Sequence, residues 1–161
     1  MRRTDREITS RAEIMDTLRR ADTIRLAMHG EPYPYIVPLS FGFEEDSNQI
    51  TLYIHGAKEG LKHTLLEQNP HVCVEADIFH HYAETNTGLT AKYESVIGFG
   101  VAEIIEGEEA AKGLGLICSH CGFHSYEYNK VALAHMRIYK ITLEFITGKR
   151  NAANNATKEF T

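Results

Sequence analysis

At 161 residues, with 43% hydrophobic and 24% charged residues, the chain has an ordinary globular composition, which excludes a largely disordered protein. A formal net charge of −5, with acidic residues among the N-terminal basic ones, argues against a nucleic-acid partner. Three cysteines argue against a secreted disulfide framework, and neither an apolar leader nor a run of about 20 apolar residues is visible. We therefore expect a cytoplasmic protein with no membrane segment.

The first predicted element is a short helix. Ser10 and Glu13 match a capping box, in which each side chain accepts a hydrogen bond from the backbone N–H of the other residue. The apolar spacing that follows predicts a helix ending near Arg20. Thr23–Met28 then has the residue types of a strand, and the glycine and proline within residues 29–32 indicate a turn.

The next apolar stretch, Tyr33–Phe43, predicts one long strand that carries Pro34 and Pro38. Proline cannot donate a hydrogen bond to a neighbouring strand, so we place this strand at a sheet edge or expect it to be bulged. The prolines either protect the edge from aggregation or leave a rigid surface that suits a flat heteroaromatic ring. With the polar turn Glu44–Asn48 and the strand Gln49–His55, this part of the chain predicts a β-meander.

Gly56–Asn69 predicts a central helix, because its leucines share one face and a proline follows it. Lys58 and Lys62 are four residues apart and would lie on one face of this helix. Like charges at that spacing cost a few tenths of a kcal/mol in an isolated helix. A phosphate bound near the free N–H groups of the helix N-terminus would turn that cost into a gain. Two lysines on a solvated helix face are the alternative.

The second half of the chain predicts three strands, a polar mobile loop and a helix. In chain order these are a strand at Val72–Ile78, the loop at His80–Thr90, a bent strand at Tyr93–Ile105, the helix at Glu106–Cys118 and a final strand at Met136–Ile146. About six antiparallel strands with peripheral helices predict a small barrel. We expect residues 1–150 to form a single domain and residues 151–161 to form a flexible tail, because the tail has almost no apolar content.

Two thiols and two imidazoles lie within residues 118–124: Cys118, Cys121, His120 and His124. Such a composition is typical of zinc ligands or of a redox-active thiol pair. A closed zinc site draws its ligands from two separated pairs, and a redox motif of this spacing belongs to a thioredoxin-like context. We interpret the segment as a loop with a buried Cys118 and predict no metal site.

Four blocks follow one another in a fixed order along the chain: PYPYIVPLSFGF at Pro32–Phe43, LYIHGAKEGLK at Leu52–Lys62, NPHVCV at Asn69–Val74 and YESVIGFG at Tyr93–Gly100. In this order they resemble the nitroimidazole-resistance (Nim) family of the FMN-binding split β-barrel group. Each block by itself is a weak signal, whereas the ordered set is specific. The N-terminal segment Arg2–Ile8 is also typical of that family.

The resemblance implies an FMN-binding split β-barrel, mainly β with peripheral helices, that forms a homodimer with the flavin, FMN or FAD, at the subunit interface. It implies that the flavin ring lies along one strand and the phosphate at the next strand end, with two further residues near the flavin or the dimer seam. The resemblance places the flavin ring along Val37, Pro38, Leu39 and Ser40. It places the phosphate at His55, Gly56, Ala57, Lys58 and Lys62. The two residues near the flavin or the dimer seam are Tyr93 and Ser95. His55 matches a family histidine of the active pocket. It is therefore our candidate proton donor to a small-molecule substrate, and a hydrogen-bonding residue without a catalytic role is the alternative.

The function that the resemblance implies is that of an oxidoreductase. Reduced FMN, recharged by a nicotinamide or a protein donor, would pass electrons to a small electrophile such as a nitroimidazole. A flavin- or haem-binding protein without turnover is an alternative, because nine histidines leave haem open. Pyridoxamine phosphate oxidase activity is a third, although the C-terminal part has only two arginines, Arg137 and Arg150, with lysines such as Lys149, in place of that enzyme's arginine-rich motif.

Overall fold

The computed structural model describes residues 3–47, 49–124, 133 and 135–151. The described residues form three α-helices: α1 (Arg11–Arg20), α2 (Leu61–Gln68) and α3 (Gly107–His120). They also form eight strands: β1 (Glu7–Ile8), β2 (Ile24–Met28), β3 (Tyr35–Leu39), β4 (Phe41–Asp46), β5 (Gln49–Ala57), β6 (His71–Thr85), β7 (Gly88–Ile105) and β8 (Met136–Asn151). Apart from Asn151, the predicted tail lies outside the described residues. None of the described helices is long and apolar enough to cross a membrane.

The strands form one antiparallel sheet in the order β3-β2-β6-β7-β8-β5-β4, and β1 pairs with β8. The prediction of a mainly β fold with peripheral helices is confirmed. The described residues form eight strands rather than about six, because β1 is added and the stretch predicted as one strand is divided at Ser40. Among the described residues the sheet does not close through a continuous ladder, which agrees with a split barrel.

β3 and β4 together bridge the two halves of the sheet. β3 pairs with β2, and β4, which begins directly after Ser40, pairs with β5. The expected β-meander is therefore formed only in part: β2 pairs with β3 and β4 pairs with β5, but β3 and β4 lie at opposite ends of the strand order. The prediction that the proline-containing strand lies at a sheet edge is confirmed, since β3 is one end of the sheet order.

The prediction of a mobile loop at His80–Thr90 is wrong. β6 runs on to Thr85, β7 begins at Gly88, and Asn86 and Thr87 form the turn between them. We call residues 80–92 the arm, because within the described residues its two strands pair only with each other. Polar residues, threonines among them, can form a strand here because both faces of the arm are open to solvent.

The main core lies between the inner face of the sheet and helices α1 and α2, and it includes Leu18, Leu26, Ile54, Leu66 and Ile141. Alternation along the strands produces this face, as in β2, where buried residues occupy every second position.

Helix α1 starts after Ser10 as predicted, but Ser10 forms no side-chain capping bond. The capping box is therefore wrong in its hydrogen bonds. Instead, the Glu13 carboxylate accepts a hydrogen bond of 2.6 Å from Arg150 of β8.

Helix α3 packs against the outer side of β4 and β5 through a second cluster that includes Tyr53, Leu114 and Ile117. Gly42 makes this packing close: a Cβ at Gly42 would lie 2.4 Å from the Ile117 backbone nitrogen. At this position there is no room for a side chain larger than the hydrogen of glycine. The helix therefore fixes the position of β4 relative to the rest of the sheet.

Candidate functional site

The corner between β5 and α2 carries most of the residues predicted to hold a phosphate. β5 continues to Ala57, and Gly60 is the N-cap residue of α2 with a φ of 133°. Only glycine adopts such a backbone conformation readily. The Gly60 carbonyl accepts hydrogen bonds from the backbone N–H groups of His63 (3.0 Å) and Thr64 (3.4 Å), which starts the helix. The helix thus begins at Leu61 rather than at the predicted Gly56.

Lys62 reaches back from the first turn of α2 to the end of β5. Its Nζ donates a hydrogen bond of 3.0 Å to the backbone carbonyl of His55. A Cβ at Gly56 would lie 2.5 Å from the same Nζ, so the glycine leaves room for the ammonium group. Burial lowers the pKa of Lys62. An ammonium group has three N–H donors, so two remain available for an incoming acceptor.

His55 is half-buried and lies opposite Ile138 of β8. Burial and, to a smaller extent, the nearby charge of Lys62 lower the pKa of His55. Both effects favour the neutral imidazole at neutral pH, which offers one N–H donor and one acceptor nitrogen.

His63 of α2 connects the corner to β8 through its two ring nitrogens and is only 4% exposed. One ring nitrogen contacts the Ala57 carbonyl and the other contacts the Tyr139 hydroxyl of β8. The two rings stack with centroids 5.5 Å apart, and burial lowers the pKa of His63. Sequence reasoning missed this residue. Its signal was its helical spacing of three residues from the core residue Leu66.

Residues 37–40 reach the same corner through the bridging stretch. In β3 the side chains of Val37 and Leu39 pack on the core, whereas Pro38 and Ser40 are exposed. The β4–β5 register pairs Phe41 with Ile54. Ser40 directly precedes Phe41, and His55 directly follows Ile54. The fold therefore brings the end of the predicted ring-binding strand next to the predicted phosphate corner.

Lys58 does not share a helix face with Lys62, and that prediction is wrong. The reason is that α2 begins at Leu61, which leaves Lys58 in the turn before it. Lys58 is exposed and lines a cavity of about 950 Å³ between the start of α3 and the start of β8. Other residues of this cavity include Glu67, Ile104, Gly107, Ala110, Leu133, Met136 and Arg137.

Tyr93 and Ser95 lie near the other end of β8 from His55. Ser95 is paired with Lys149, and its hydroxyl donates a hydrogen bond of 3.5 Å to the Lys149 carbonyl. The Lys149 ammonium lies 5.9 Å from the centre of the Tyr93 ring. His55 is paired with Ile138, and the extended chain from there to Lys149 corresponds to roughly 35 Å. One chain therefore does not bring these two residues to the corner.

The cluster at residues 118–124 is divided among other contacts. His120 Nε2 hydrogen-bonds the Ala21 carbonyl at 2.8 Å, and His124 Nδ1 lies 2.8 Å from the Ser119 hydroxyl. Cys118 is half-buried at the end of α3 rather than buried in a loop, and Cys121 is exposed. Burial raises the pKa of the Cys118 thiol, which disfavours the thiolate that redox exchange requires.

The fold and this corner define a class of protein: an antiparallel split barrel with a cation and an imidazole at the end of one strand. Residues 10–150 match the model of the pyridoxamine 5'-phosphate oxidase family, and the chain belongs to this family. A comparison with curated proteins gave no match.

Several solved structures share the fold. A candidate 5-nitroimidazole antibiotic resistance protein from Bacteroides thetaiotaomicron VPI-5482 is 29% identical, with a TM-score of 0.79 over 89% of this chain and 85% of that one. A FAD-binding protein from Mesorhizobium loti is 20% identical, with a TM-score of 0.67 over 91% and 98% of the two chains. A FAD and haem binding protein from Mycobacterium smegmatis is 17% identical, with a TM-score of 0.70 over 94% and 77%. At these identities the last two show the fold alone.

Proposed function

We propose that this protein binds a flavin, with FMN preferred over FAD, and uses it to reduce a small electrophile such as a nitroimidazole. The observation that carries the proposal is the Lys62 ammonium, held 3.0 Å from the His55 carbonyl beside Gly56. A half-buried cation with spare donors, next to a glycine that leaves space, suits a phosphate group. Family membership and the likeness to a candidate 5-nitroimidazole resistance protein support the same assignment.

The chain's own residues have three roles in this proposal. Lys62, with the backbone of Gly56 and Ala57 and the nearby Lys58, would bind the phosphate. The exposed side of Val37–Ser40, stiffened by its proline, would support the flat ring. A bound flavin supplies the redox chemistry, so the protein needs to place the cofactor and the substrate rather than provide a nucleophile. His55, held neutral by burial, would donate a hydrogen bond or a proton to the substrate.

We also propose that the working unit is a homodimer. The corner at His55 and the pair Tyr93 and Ser95 lie far apart in one chain, so both can border one flavin only if they come from different copies. The arm and Phe79, which directly precedes it, support this arrangement, because they lie beside Tyr93 and expose apolar side chains. Phe79, opposite Tyr93 in the sheet, is 53% exposed, and its ring centre lies 5.1 Å from that of Tyr82, which is 70% exposed. Exposed apolar groups of this kind mark interaction surfaces.

Pyridoxamine phosphate oxidase activity receives less support. Arg137 donates a hydrogen bond to Glu67 at 2.8 Å, and Arg150 donates one to Glu13 at 2.6 Å. Both guanidinium groups are thus used within the chain. The C-terminal part therefore offers few cations for a second phosphate, that of the substrate.

The test begins with the small molecule that copurifies with the protein. We expect a yellow protein that releases FMN on denaturation, and a Soret band in its place would support haem. NAD(P)H or dithionite should bleach the bound flavin, and a nitroimidazole added without oxygen should restore its colour. A flavin that binds and is reduced but is not reoxidised by any nitroaromatic would limit the function to flavin binding. A protein that binds no flavin at all would contradict the proposal.

A further inference from the structure

A pair of histidines lies on the outer face of the sheet, away from the corner described above. The β2–β6 register pairs Met28 with Val72, and both side chains are buried. His29 directly follows Met28 at the end of β2, and His71 directly precedes Val72 as the first residue of β6. Both are exposed. The ladder therefore brings both histidines to the same end of the β2–β6 pair.

A hydrogen bond fixes the tautomer of one of these rings. His71 Nδ1 lies 3.0 Å from Asn69 Oδ1, which also accepts a hydrogen bond of 3.0 Å from the His71 backbone N–H. A carbonyl oxygen only accepts hydrogen bonds, so Nδ1 carries the proton and Nε2 keeps a free lone pair. Histidines that ligate metals almost always have their second nitrogen held in this way.

Both histidines line one cavity of about 520 Å³. Its walls also contain Phe99 of β7 and Glu144 of β8. A register shift in the β7–β8 ladder leaves Glu144 without a partner residue, since Phe99 pairs with Phe145 and the next residue pairs with Leu143. Such irregularities re-aim side chains at functional sites. The carboxylate adds a negative charge to a cavity that already has two imidazoles.

We propose that His29 and His71 bind one divalent transition-metal cation, such as Zn²⁺ or Cu²⁺, at this cavity. Imidazole nitrogen suits these borderline metals. No group of three or more potential ligands converges anywhere in the described part of the chain. The cation therefore keeps open coordination positions that face the cavity and accept water or a small anion. The proposed flavin site uses neither histidine, so this site is separate from it.

The experiment is a calorimetric titration of chelator-treated full-length protein with Zn²⁺ at pH 7.5. We expect saturable binding of one ion per chain. His29→Ala and His71→Ala should each weaken it at least 10-fold. Asn69→Ala leaves both imidazoles in place but frees the His71 ring, and it should weaken binding by roughly 10-fold. His81→Ala, an exposed histidine of the arm, is the matched control and should bind Zn²⁺ as the unaltered protein does.

The proposal is overturned if the unaltered protein shows no saturable binding, or if both histidine variants bind with unchanged affinity. Cys73 of β6 also lines this cavity. The proposal is equally overturned if Cys73→Ser removes the binding while the histidine variants keep it. The titration can be done with flavin-loaded and flavin-free protein, so its outcome is independent of the proposed redox function.

Discussion

Gly56→Ala is the sharpest test of the phosphate role that we assign to Lys62. An added methyl group would lie 2.5 Å from Lys62 Nζ and 2.9 Å from its Cε, so the ammonium must move by about 1 Å to reach ordinary contact. The side chain is flexible at that end, and the backbone does not need to shift. If the ammonium binds the phosphate, the variant loses a charge-assisted hydrogen bond of about 1.5–3 kcal/mol. That loss raises the Kd for FMN roughly 10- to 100-fold.

Folding should respond much less. The bond between Lys62 and the His55 carbonyl contributes about 1 kcal/mol. Replacing glycine by alanine in an extended strand returns about 0.4–1 kcal/mol by restricting the unfolded chain. The free energy of unfolding should therefore change by less than about 1 kcal/mol.

FMN fluorescence quenching gives the Kd, and urea unfolding of flavin-free protein gives the stability. Gly115→Ala is the matched control, because nothing lies within 4 Å of a Cβ at that position. Lys62→Met keeps the apolar stem and removes the charge, and its effect should not add to that of Gly56→Ala, since both act on one contact. If Gly56→Ala and Lys62→Met both bind FMN as tightly as the unaltered protein does, Lys62 does not hold the phosphate.

Four further changes test other parts of the structure. His55→Gln should slow flavin reoxidation by a nitroimidazole at least ~10-fold with FMN still bound, and an unchanged rate would remove His55 from the mechanism. The pKa of His63 is lower in the folded protein than in the unfolded chain. Below about pH 6.5 the unfolded chain therefore binds more protons than the folded protein, and the free energy of unfolding should fall as the pH drops past that value. Urea unfolding across this range should show a flatter pH profile for His63→Asn than for the unaltered protein. Gly42→Ala forces a methyl group against the α3 backbone and should lower the free energy of unfolding by about 1–3 kcal/mol, whereas a melting temperature equal to that of the unaltered protein would contradict the close packing. Phe79→Ser combined with Tyr82→Ser should shift the protein toward monomers in light scattering and weaken FMN binding; a dimer that persists would exclude these two side chains at the start of the arm from the interface.

The local parts of the fold were predictable from the sequence. Period-2 alternation located the strands of the core, and Pro38 placed its strand at a sheet edge, because both signals depend on residues close together in the chain. The corner at His55 was also found, since a strand ending in glycine before a helix is a local pattern. Its internal geometry was not predicted. The three residues after Ala57 delay the helix start, and this delay separates Lys58 from Lys62.

The errors concern pairing over longer distances. Nothing between residues 33 and 43 indicates that the strand changes partners at Ser40, because that change depends on where β2 and β5 lie in the finished sheet. The polar residues of the arm predict a loop, because they bury little apolar surface, whereas in the structure hairpin pairing satisfies the backbone hydrogen bonds of the arm. His63 was missed because its partners, Ala57 and Tyr139, come together only after β8 joins the sheet.

Ser40 belongs to neither ladder, yet the chain passes through it from one half of the barrel to the other. The residues before Ser40 are hydrogen-bonded to β2, and the residues after it are hydrogen-bonded to β5. Any change in the twist between these two strands must therefore be absorbed at this joint. Such a change would alter the distance between Pro38 and His55. The space available at the corner therefore depends on the twist of the sheet and not only on the residues of the corner.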